Sequence, residues 1–151
     1  MFLESSSREG KKSEMPISIR PCCGSDRQAI MDLIEPYVQR RKILRRTFEE
    51  LEELLSNAFV AETCNRVVGF VALEIYSSKL AEIRSLVVSI DCQGRGVGKR
   101  LVAACVDRAA ERGVFEVMAI TSSEEFFRSC GFDYTLPGEK KAFFRQTREL
   151  H

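Results

Sequence analysis

Apolar residues recur along the chain with two different periods, and the places where the period changes outline the predicted elements. Residues 30–38 repeat apolar side chains every three or four positions, which predicts an amphipathic helix. Pro36 lies inside this pattern and is expected to kink or end the helix, because it has no N–H group to donate. Thr47, with Glu50 three residues later, forms a capping box that predicts a second helix.

From Ala58 onwards the period becomes two, which is typical of β-strands. Residues 59–61, 67–76 and 80–88 are separated by short polar turns, and a short alternating stretch at 17–20 precedes them. Consecutive strands joined by such short turns pair in an antiparallel manner, so this part of the chain predicts a meander.

The last third of the chain returns to alternating helix and strand patterns. An apolar helical face begins at Val97 and ends at Gly113, which suits a left-handed C-cap, and an apolar strand follows at 114–120. Ser123 is expected to cap a short helix, and residues 142–144 are again strand-like. The chain therefore predicts an α+β fold, in which a mixed sheet carries helices on its faces.

Glycine stands at every second position of residues 94–98, between the strand at 80–88 and the helix that begins at Val97. Glycine lets the backbone approach a ligand closely, and a helix N-terminus presents unpaired N–H groups and a partial positive charge. Such a loop suits a phosphate or a pyrophosphate. Neither the dinucleotide fingerprint G-x-G-x-x-G nor the P-loop G-x-x-x-x-G-K-[ST] fits the spacing.

Length and composition exclude several classes of partner and of targeting segment. The 151 residues carry a formal net charge of +1 at pH 7, which favours neither nucleic acid nor an anionic membrane as a partner. No apolar run approaches the roughly 18 residues of a membrane span, and residues 1–14 lack the apolar core of a signal peptide. We interpret residues 1–14 as a flexible leader and residues 15–151 as a single domain.

The six cysteines indicate a reducing environment. None of them belongs to a C-x-x-C pair and several lie in apolar segments, so neither a disulfide framework nor a metal site is expected. The predicted location is therefore the cytoplasm.

Two segments resemble motifs of the GNAT superfamily of N-acetyltransferases. Residues 93–98, Gln-Gly-Arg-Gly-Val-Gly, look like its acyl-CoA signature Q/R-x-x-G-x-G/A, and residues 126–132 look like its late F-[YF]-x-x-x-G-F segment. The order of predicted elements is also similar over residues 16–134. The resemblance implies that family's fold, a mixed and mostly antiparallel central sheet with helices on both faces, and acetyl-CoA as cosubstrate.

The resemblance also implies where acetyl-CoA lies. Backbone N–H groups of the glycine loop would hold the pyrophosphate, and the pantetheine arm would enter between the strands that precede and follow the loop. A backbone N–H in that opening would polarise the thioester carbonyl. The residues that this assigns to acetyl-CoA are Leu86, Val87, Val88, Gln93, Gly94, Arg95, Gly96, Val97, Gly98 and Lys99, with Arg100 as a further candidate for phosphate contact.

Glu82 stands on the strand before the loop, where GNAT enzymes often keep a general base. The alternatives are that Glu82 is a paired surface carboxylate and that a water deprotonates the amine. Phe127 stands where many relatives have a tyrosine that protonates the CoA thiolate, and a phenyl ring cannot do this.

A narrower resemblance, carried by residues 33–38, 44–51 and 81–86, is to the acetyltransferase domain of N-acetylglutamate synthases and their short stand-alone relatives. It implies acetyl transfer to the α-amine of a small amino acid, glutamate or similar, as in arginine biosynthesis. The two carboxylates of such an acceptor call for guanidinium groups. The candidates, first to last, are Arg46, Arg84, Arg20 and Arg45.

Other interpretations stay open beside this one. The acceptor could be another amine, such as a peptide N-terminus or a small molecule, and the protein could be a non-catalytic acyl-CoA sensor. The basic run at 40–46 could be an exposed loop, and without interleaved aromatic residues it does not favour nucleic-acid binding. Phe143 and Phe144 are candidates for contact with a second subunit, which would make the protein a homodimer.

Overall fold

A central β-sheet organises the protein in this computed structural model, which describes residues 15–43, 45–134, 138–139 and 141–147. Its strands lie side by side in the order in which the chain forms them. Neighbouring strands are antiparallel except for the last pair, which is parallel. This confirms the predicted mixed, mostly antiparallel sheet. The strands are β1 Ser18–Pro21, β2 Ala58–Thr63, β3 Arg66–Ile75, β4 Leu80–Val88 and β5 Glu116–Met118.

Helices cover both faces of the sheet, as expected. They are α1 Arg27–Gln39, α2 Phe48–Leu55, α3 Val97–Glu111 and α4 Glu124–Ser129. Buried side chains of α1 and α2, such as Ile30 and Leu51, pack against one face of the sheet around Phe70. Leu101 of α3 and Phe127 of α4 belong to the core on the opposite face. Each fully buried apolar side chain of this kind contributes about 1.5–3 kcal/mol to folding.

Two local signals in the first helices had different outcomes. The capping box of α2 is confirmed, because the Thr47 hydroxyl accepts from the Glu50 N–H (3.2 Å) and the Glu50 carboxylate accepts from the Thr47 N–H (2.8 Å). The expectation that Pro36 kinks or ends α1 is wrong in its second part. The helix continues to Gln39, and the Arg40 N–H donates to the Pro36 carbonyl. One lost N–H near the end of a packed helix is offset by its buried face.

The segments after α3 are less regular than predicted. The strand expected at 114–120 pairs only over Glu116–Met118, and the Ser123 side chain makes no capping hydrogen bond to α4. The strand expected at 142–144 is absent, since these described residues belong to no strand. Phe143 and Phe144 are 92% and 75% exposed. Strand propensity without a paired neighbour is too weak to form a strand.

Some sequence predictions fall outside the described residues. The leader at 1–14 is one of them, and residue 44 of the segment at 44–51 is another. Over the ranges that the structure does describe, no helix is both long enough and apolar enough to cross a membrane.

Two irregularities of β4 shape the centre of the molecule. The register with β3 shifts by one residue between the Phe70–Val87 pair and the Ala72–Arg84 pair. Ser85 lies in this interval with φ 58°, the left-handed region that a non-glycine residue rarely adopts. The result is a β-bulge, which bends the strand and removes backbone groups from the regular ladder.

The second irregularity is the separation of β4 from β5. The two strands pair from Leu80–Glu116 to Glu82–Met118 and no further, although β4 continues to Val88. The strands that flank the glycine loop therefore diverge on the side of the loop, as the resemblance implies.

Candidate active site

The glycine loop connects the end of β4 to the start of α3. Gly94 has φ 78° and Gly96 has φ 77°, so both adopt the left-handed conformation that glycine tolerates best. Gly96 is the N-cap of α3, and the Arg100 N–H donates the first helical hydrogen bond to its carbonyl. The N–H groups of the first turn consequently lack carbonyl partners one turn earlier. The loop presents backbone donors and the positive end of the helix dipole to an anion.

A cavity of about 580 Å³, which we name the loop cavity, lies against this loop. The residues that the sequence assigns to acetyl-CoA line it with one exception, Arg95. Glycine is favoured at position 98 for a steric reason, because a Cβ atom there would lie 3.2 Å from the ring of Phe126. The lining residues are Tyr37, Leu86, Val87, Val88, Cys92, Gln93, Gly94, Gly96, Val97, Gly98, Lys99, Ser123 and Phe126.

The three cations in and after the glycine loop, Arg95, Lys99 and Arg100, differ in what they contact. Arg95 donates to the Met15 carbonyl (2.9 Å), and Arg100 donates to the Ile17 carbonyl (2.7 Å). Both guanidinium groups thus hold the segment that leads into β1. Lys99 lines the loop cavity, which leaves it as the cation best placed for a phosphate.

A second cavity of about 580 Å³, which we name the inner cavity, fills the gap between β4 and the chain that follows β5. Its walls come from the bulge of β4, from the segment after α1, and from the stretch between β5 and α4. It shares Tyr37, Leu86, Ser123 and Phe126 with the loop cavity, so the two form one continuous groove. The lining residues are Tyr37, Arg41, Lys42, Ile43, Ile83, Ser85, Leu86, Ala119, Ile120, Thr121, Ser122, Ser123, Phe126 and Phe127.

Tyr37 marks the junction of the two cavities. Its hydroxyl donates to the Val88 carbonyl (2.7 Å), and the Gln93 amide donates to the same carbonyl (3.0 Å) and to the Tyr37 oxygen (3.1 Å). Three residues from α1, β4 and the loop are therefore joined where the linings of the two cavities meet. A pantetheine amide that pairs with Val88 would have to add to this cluster or replace one of its members.

Glu82 is buried on β4, and its carboxylate is held from two sides. The Tyr76 hydroxyl donates to Glu82 Oε1 (2.6 Å), and the Arg84 guanidinium lies 4.0 Å from the same oxygen. Burial and the hydrogen bond to Glu82 raise the pKa of Tyr76 to about 12, so the phenol remains a donor at neutral pH. Glu82 lines neither cavity directly, whereas Ile83 beside it lines the inner cavity.

Arg84 and Arg46, the two first candidates for an acceptor carboxylate, differ in how they are engaged. Arg84 Nη1 donates to the Glu74 carboxylate (2.7 Å). Arg46 Nε donates to the Ser85 hydroxyl (3.1 Å), and no carboxylate of the described residues forms an ion pair with Arg46. Burial and the neighbouring Arg84 lower the pKa of Arg46, because both disfavour its positive charge. Arg46 is therefore a half-buried cation that forms no direct ion pair with the described residues, although the charges of Glu74 and Glu50 act on it from a greater distance.

The later candidates lie elsewhere or are already paired. Arg20 is bound to Asp26 (2.8 Å) and Glu62 (2.7 Å), and Arg45 is bound to Glu35 (2.9 Å). Neither arginine lines the groove, and Arg46 and Arg84 are likewise absent from the lining of both cavities.

Arg41 and Lys42 line the inner cavity although the sequence did not single them out from the basic run. Arg41 has φ 57° at the end of α1, where its N–H bonds to the Val38 carbonyl and the Lys42 N–H bonds to the Tyr37 carbonyl. This is a Schellman motif with arginine at the position that glycine usually occupies. A left-handed conformation costs a non-glycine residue about 1 kcal/mol or more.

Other residues of the groove also escaped the sequence analysis. Tyr37 belongs to the apolar pattern at 30–38, which gives no indication of the hydrogen bond that its hydroxyl makes. Ser85 gave no signal, because a bulge is set by the register of two strands and not by one of them. Tyr76 comes into contact with Glu82 only because the β3–β4 turn brings the two strands together.

The groove joins an anion cradle to a cavity with a cationic wall, through a gap between two strands. A long phosphorylated ligand can lie along it, with its far end in reach of Ser85 and the basic segment after α1. Such a groove can bring an activated acyl group and a second, anionic molecule together.

Comparisons with known proteins agree with this geometry. The sequence model of the Acetyltransferase (GNAT) family matches residues 27–132. An uncharacterized N-acetyltransferase of Chlorobaculum tepidum is 35% identical over 108 residues, which are 72% of this chain and 70% of that protein. The amino-acid acetyltransferase of Neisseria meningitidis is 32% identical over 118 residues, which are 77% of this chain but 27% of that enzyme.

A solved structure extends the comparison to three dimensions. The N-acetylglutamate synthase from Neisseria gonorrhoeae, complexed with coenzyme A and N-acetyl-glutamate, has a TM-score of 0.73 at 30% identity. The match covers 84% of this chain and 30% of the synthase. Since the family model spans most of the chain and the solved relative holds coenzyme A, the chain belongs to the GNAT acetyltransferase family, as an N-acetyltransferase that uses acetyl-CoA as its cosubstrate.

Proposed function

We propose that the protein transfers the acetyl group of acetyl-CoA to the α-amine of a small amino acid, with glutamate as the first acceptor to test. The observation that carries this proposal is Arg46, a half-buried guanidinium that forms no ion pair with the described residues and is hydrogen-bonded to Ser85 of the inner cavity wall. An unpaired cation in such a place is stabilised by an anionic ligand. The similarity to amino-acid acetyltransferases, and to a synthase complexed with N-acetyl-glutamate, supports the same acceptor class.

Acetyl-CoA is proposed to occupy the length of the groove. The pyrophosphate binds the N–H groups at the start of α3, and Lys99 contacts a phosphate. The pantetheine arm passes Tyr37 and lies along Leu86 and Val88, so that the thioester reaches the inner cavity. Backbone N–H groups released by the bulge at Ser85 are candidates to polarise the thioester carbonyl.

The chemical step needs a neutral amine and a leaving thiolate. The acceptor nitrogen attacks the thioester carbon, the C–S bond breaks, and the amine loses one proton while the thiolate gains one. Glu82 is proposed to accept the amine proton, through a bridging water because its carboxylate does not line the cavity. Phe127 offers no proton, so solvent water protonates the thiolate.

The two arginines are proposed to contribute differently to binding of the acceptor. Arg46 is proposed to bind one carboxylate of the acceptor directly. Arg84 is held by Glu74, so it contributes to acceptor binding through its positive potential and through exchange of this ion pair. In a cell this activity would belong to amino-acid metabolism, with arginine biosynthesis as the pathway that the similarity suggests and the cytoplasm as the proposed location.

The proposal is tested with a panel of the twenty amino acids, a peptide with a free N-terminus and an aminoglycoside, each with acetyl-CoA. Release of the CoA thiol is measured, and the product is identified by mass. We expect turnover with an amino acid and a product acetylated on the α-nitrogen. Turnover confined to the peptide or the aminoglycoside would show that the acceptor is not an amino acid. Tight acetyl-CoA binding without any turnover would indicate a sensor.

A further inference from the structure

We propose that Arg41 and Lys42 recognise a second anionic group of the acceptor, its side-chain carboxylate, and thereby select acidic over neutral amino acids. This inference rests on the proposed function and narrows its substrate class. Arg46 accounts for one carboxylate, and the pair formed by Arg41 and Lys42 accounts for the other.

The first argument is position. Both residues line the inner cavity, together with Ser85 of the β4 bulge and the chain between β5 and α4. They do not line the loop cavity, where the phosphates of acetyl-CoA are expected. Their positive charges therefore act on the acceptor half of the groove.

The second argument is that the described residues do not neutralise the charges of Arg41 and Lys42. Among the described residues, the side chains of Arg41 and Lys42 form no ion pair and no hydrogen bond. Their neighbour Arg45 is different, because Glu35 binds it with two hydrogen bonds of 2.9 and 3.2 Å. Two unpaired cations on one cavity wall favour a carboxylate over a neutral amide of the same shape.

The third argument is the backbone of Arg41. Its φ of 57° belongs to a Schellman motif in which glycine would be the unstrained residue. Arginine at this position weakens the turn and, in exchange, gives the inner cavity a cationic residue in its lining. Strained backbone conformations cluster at active sites and ligand-binding sites.

The test compares glutamate with glutamine, which has the same shape but no side-chain charge. The ratio of kcat/KM for the two acceptors is measured in the wild type and in the double variant Arg41→Gln/Lys42→Gln. We expect the preference for glutamate to fall by about 10-fold or more, mainly through the KM for glutamate, as a lost charge-assisted contact requires. The Kd for acetyl-CoA is expected to stay unchanged.

Arg40→Gln is the matched control, because Arg40 is an exposed cation of the same run that does not line the inner cavity. It should leave the preference unaltered. Arg41→Gly is a second variant that separates recognition from folding. It should also reduce the preference, while its Tm rises by about 2–4 °C through relief of the left-handed arginine.

The outcomes distinguish this inference from the proposed function. Turnover of amino acids with an unchanged glutamate preference in the double variant would overturn the role of Arg41 and Lys42 and leave the function intact. A wild type that prefers glutamine, or a double variant that loses acetyl-CoA affinity instead, would overturn it as well. A wild type that acetylates no amino acid would overturn both.

Discussion

The two halves of the groove are built in different ways. The loop cavity is formed by a continuous stretch of chain, whose glycines and helix start present backbone N–H groups. The inner cavity is formed by side chains from three separate segments, around the bulge at Ser85. Its charged candidates are Arg41, Lys42 and Arg46, which approach it from the segment between α1 and α2.

The difference matters for what each half can recognise. Backbone donors bind a pyrophosphate whatever the neighbouring side chains are, so this half suits a cosubstrate that the family shares. Side chains on a connecting segment can change without disturbing the sheet, so the other half suits an acceptor that varies between relatives. Variants that affect one half and spare the other test this division.

The largest effect is expected for Gly96→Glu in the loop half. A carboxylate about 4 Å from the pyrophosphate would cost about 4 kcal/mol at the effective dielectric of a protein surface, which is about 1000-fold in the Kd of acetyl-CoA. Gly113→Glu is the matched control, because Gly113 has φ 70° and open space around it but lies at the opposite end of α3. Isothermal titration with acetyl-CoA measures both. Equal loss in the two variants would attribute the effect to backbone strain.

The next effect is expected for Glu82→Gln, which concerns chemistry and not binding. Removal of a general base reduces kcat by about 100-fold, with the acetyl-CoA affinity unchanged. Glu74→Gln is the control, because Glu74 is the cross-strand neighbour of Glu82 and bonds the same Arg84. Steady-state kinetics with the best acceptor provide the comparison. A normal kcat in Glu82→Gln would transfer the role of base to water.

A smaller effect is expected for Arg46→Gln in the inner half. Loss of one charged hydrogen bond, worth about 2 kcal/mol, raises the acceptor KM by about 30-fold. The Kd of acetyl-CoA should not change, since the loop cavity lies outside the reach of this residue. Arg45→Gln, which removes an exposed cation paired with Glu35, should leave both values near wild type. An unaltered KM in Arg46→Gln would remove Arg46 from the acceptor site.

The smallest effect on activity is expected for Asp26→Asn, which lies outside both halves. Hydrogen bonds from Arg20, against the opposing effect of burial, lower the pKa of Asp26 to about 2 from 3.8. A carboxylate with a depressed pKa stabilises the fold above about pH 4, and this contribution disappears as the pH falls to about 2. The substitution should therefore cost about 2 kcal/mol at pH 7, and less as the pH falls.

Urea unfolding at pH 7 and at pH 3 measures this change. The control is Asp32→Asn, which replaces an exposed carboxylate of α1 whose hydrogen-bond partner is Gln28, one turn away. It should change the free energy of unfolding by less than about 0.5 kcal/mol at either pH. A pH-independent loss in Asp26→Asn would attribute the effect to packing and not to charge.

Much of the fold was predictable because its signals are local. The capping box of Thr47 and Glu50, the two-residue period of β3 and the glycine at 113 each act through neighbours in sequence. Predictions failed where a local preference needed a partner. Residues 142–144 have strand-like side chains but no paired strand, and Pro36 was overruled by the packing of α1.

The candidate site was predictable to a similar degree. The residues of the loop cavity follow from glycine spacing and from the resemblance, and nearly all of them line it. Arg95 was the exception, because the direction of its side chain depends on where the segment before β1 passes. The partners of Arg84 and Glu82 could not be foreseen, since Glu74 comes from the neighbouring strand β3 and Tyr76 from the β3–β4 turn.

The sequence by itself determined the order of elements, the anion cradle at the start of α3 and the membership of the GNAT family. These depend on spacing along the chain, which folding leaves unchanged. The tertiary structure decided which arginines of the described residues form ion pairs, that β4 separates from β5 beyond Glu82, and that Arg41 and Lys42 line the same cavity as Ser85. Charge pairing and cavity walls are made between distant segments, so they exist only once the sheet and its helices have assembled.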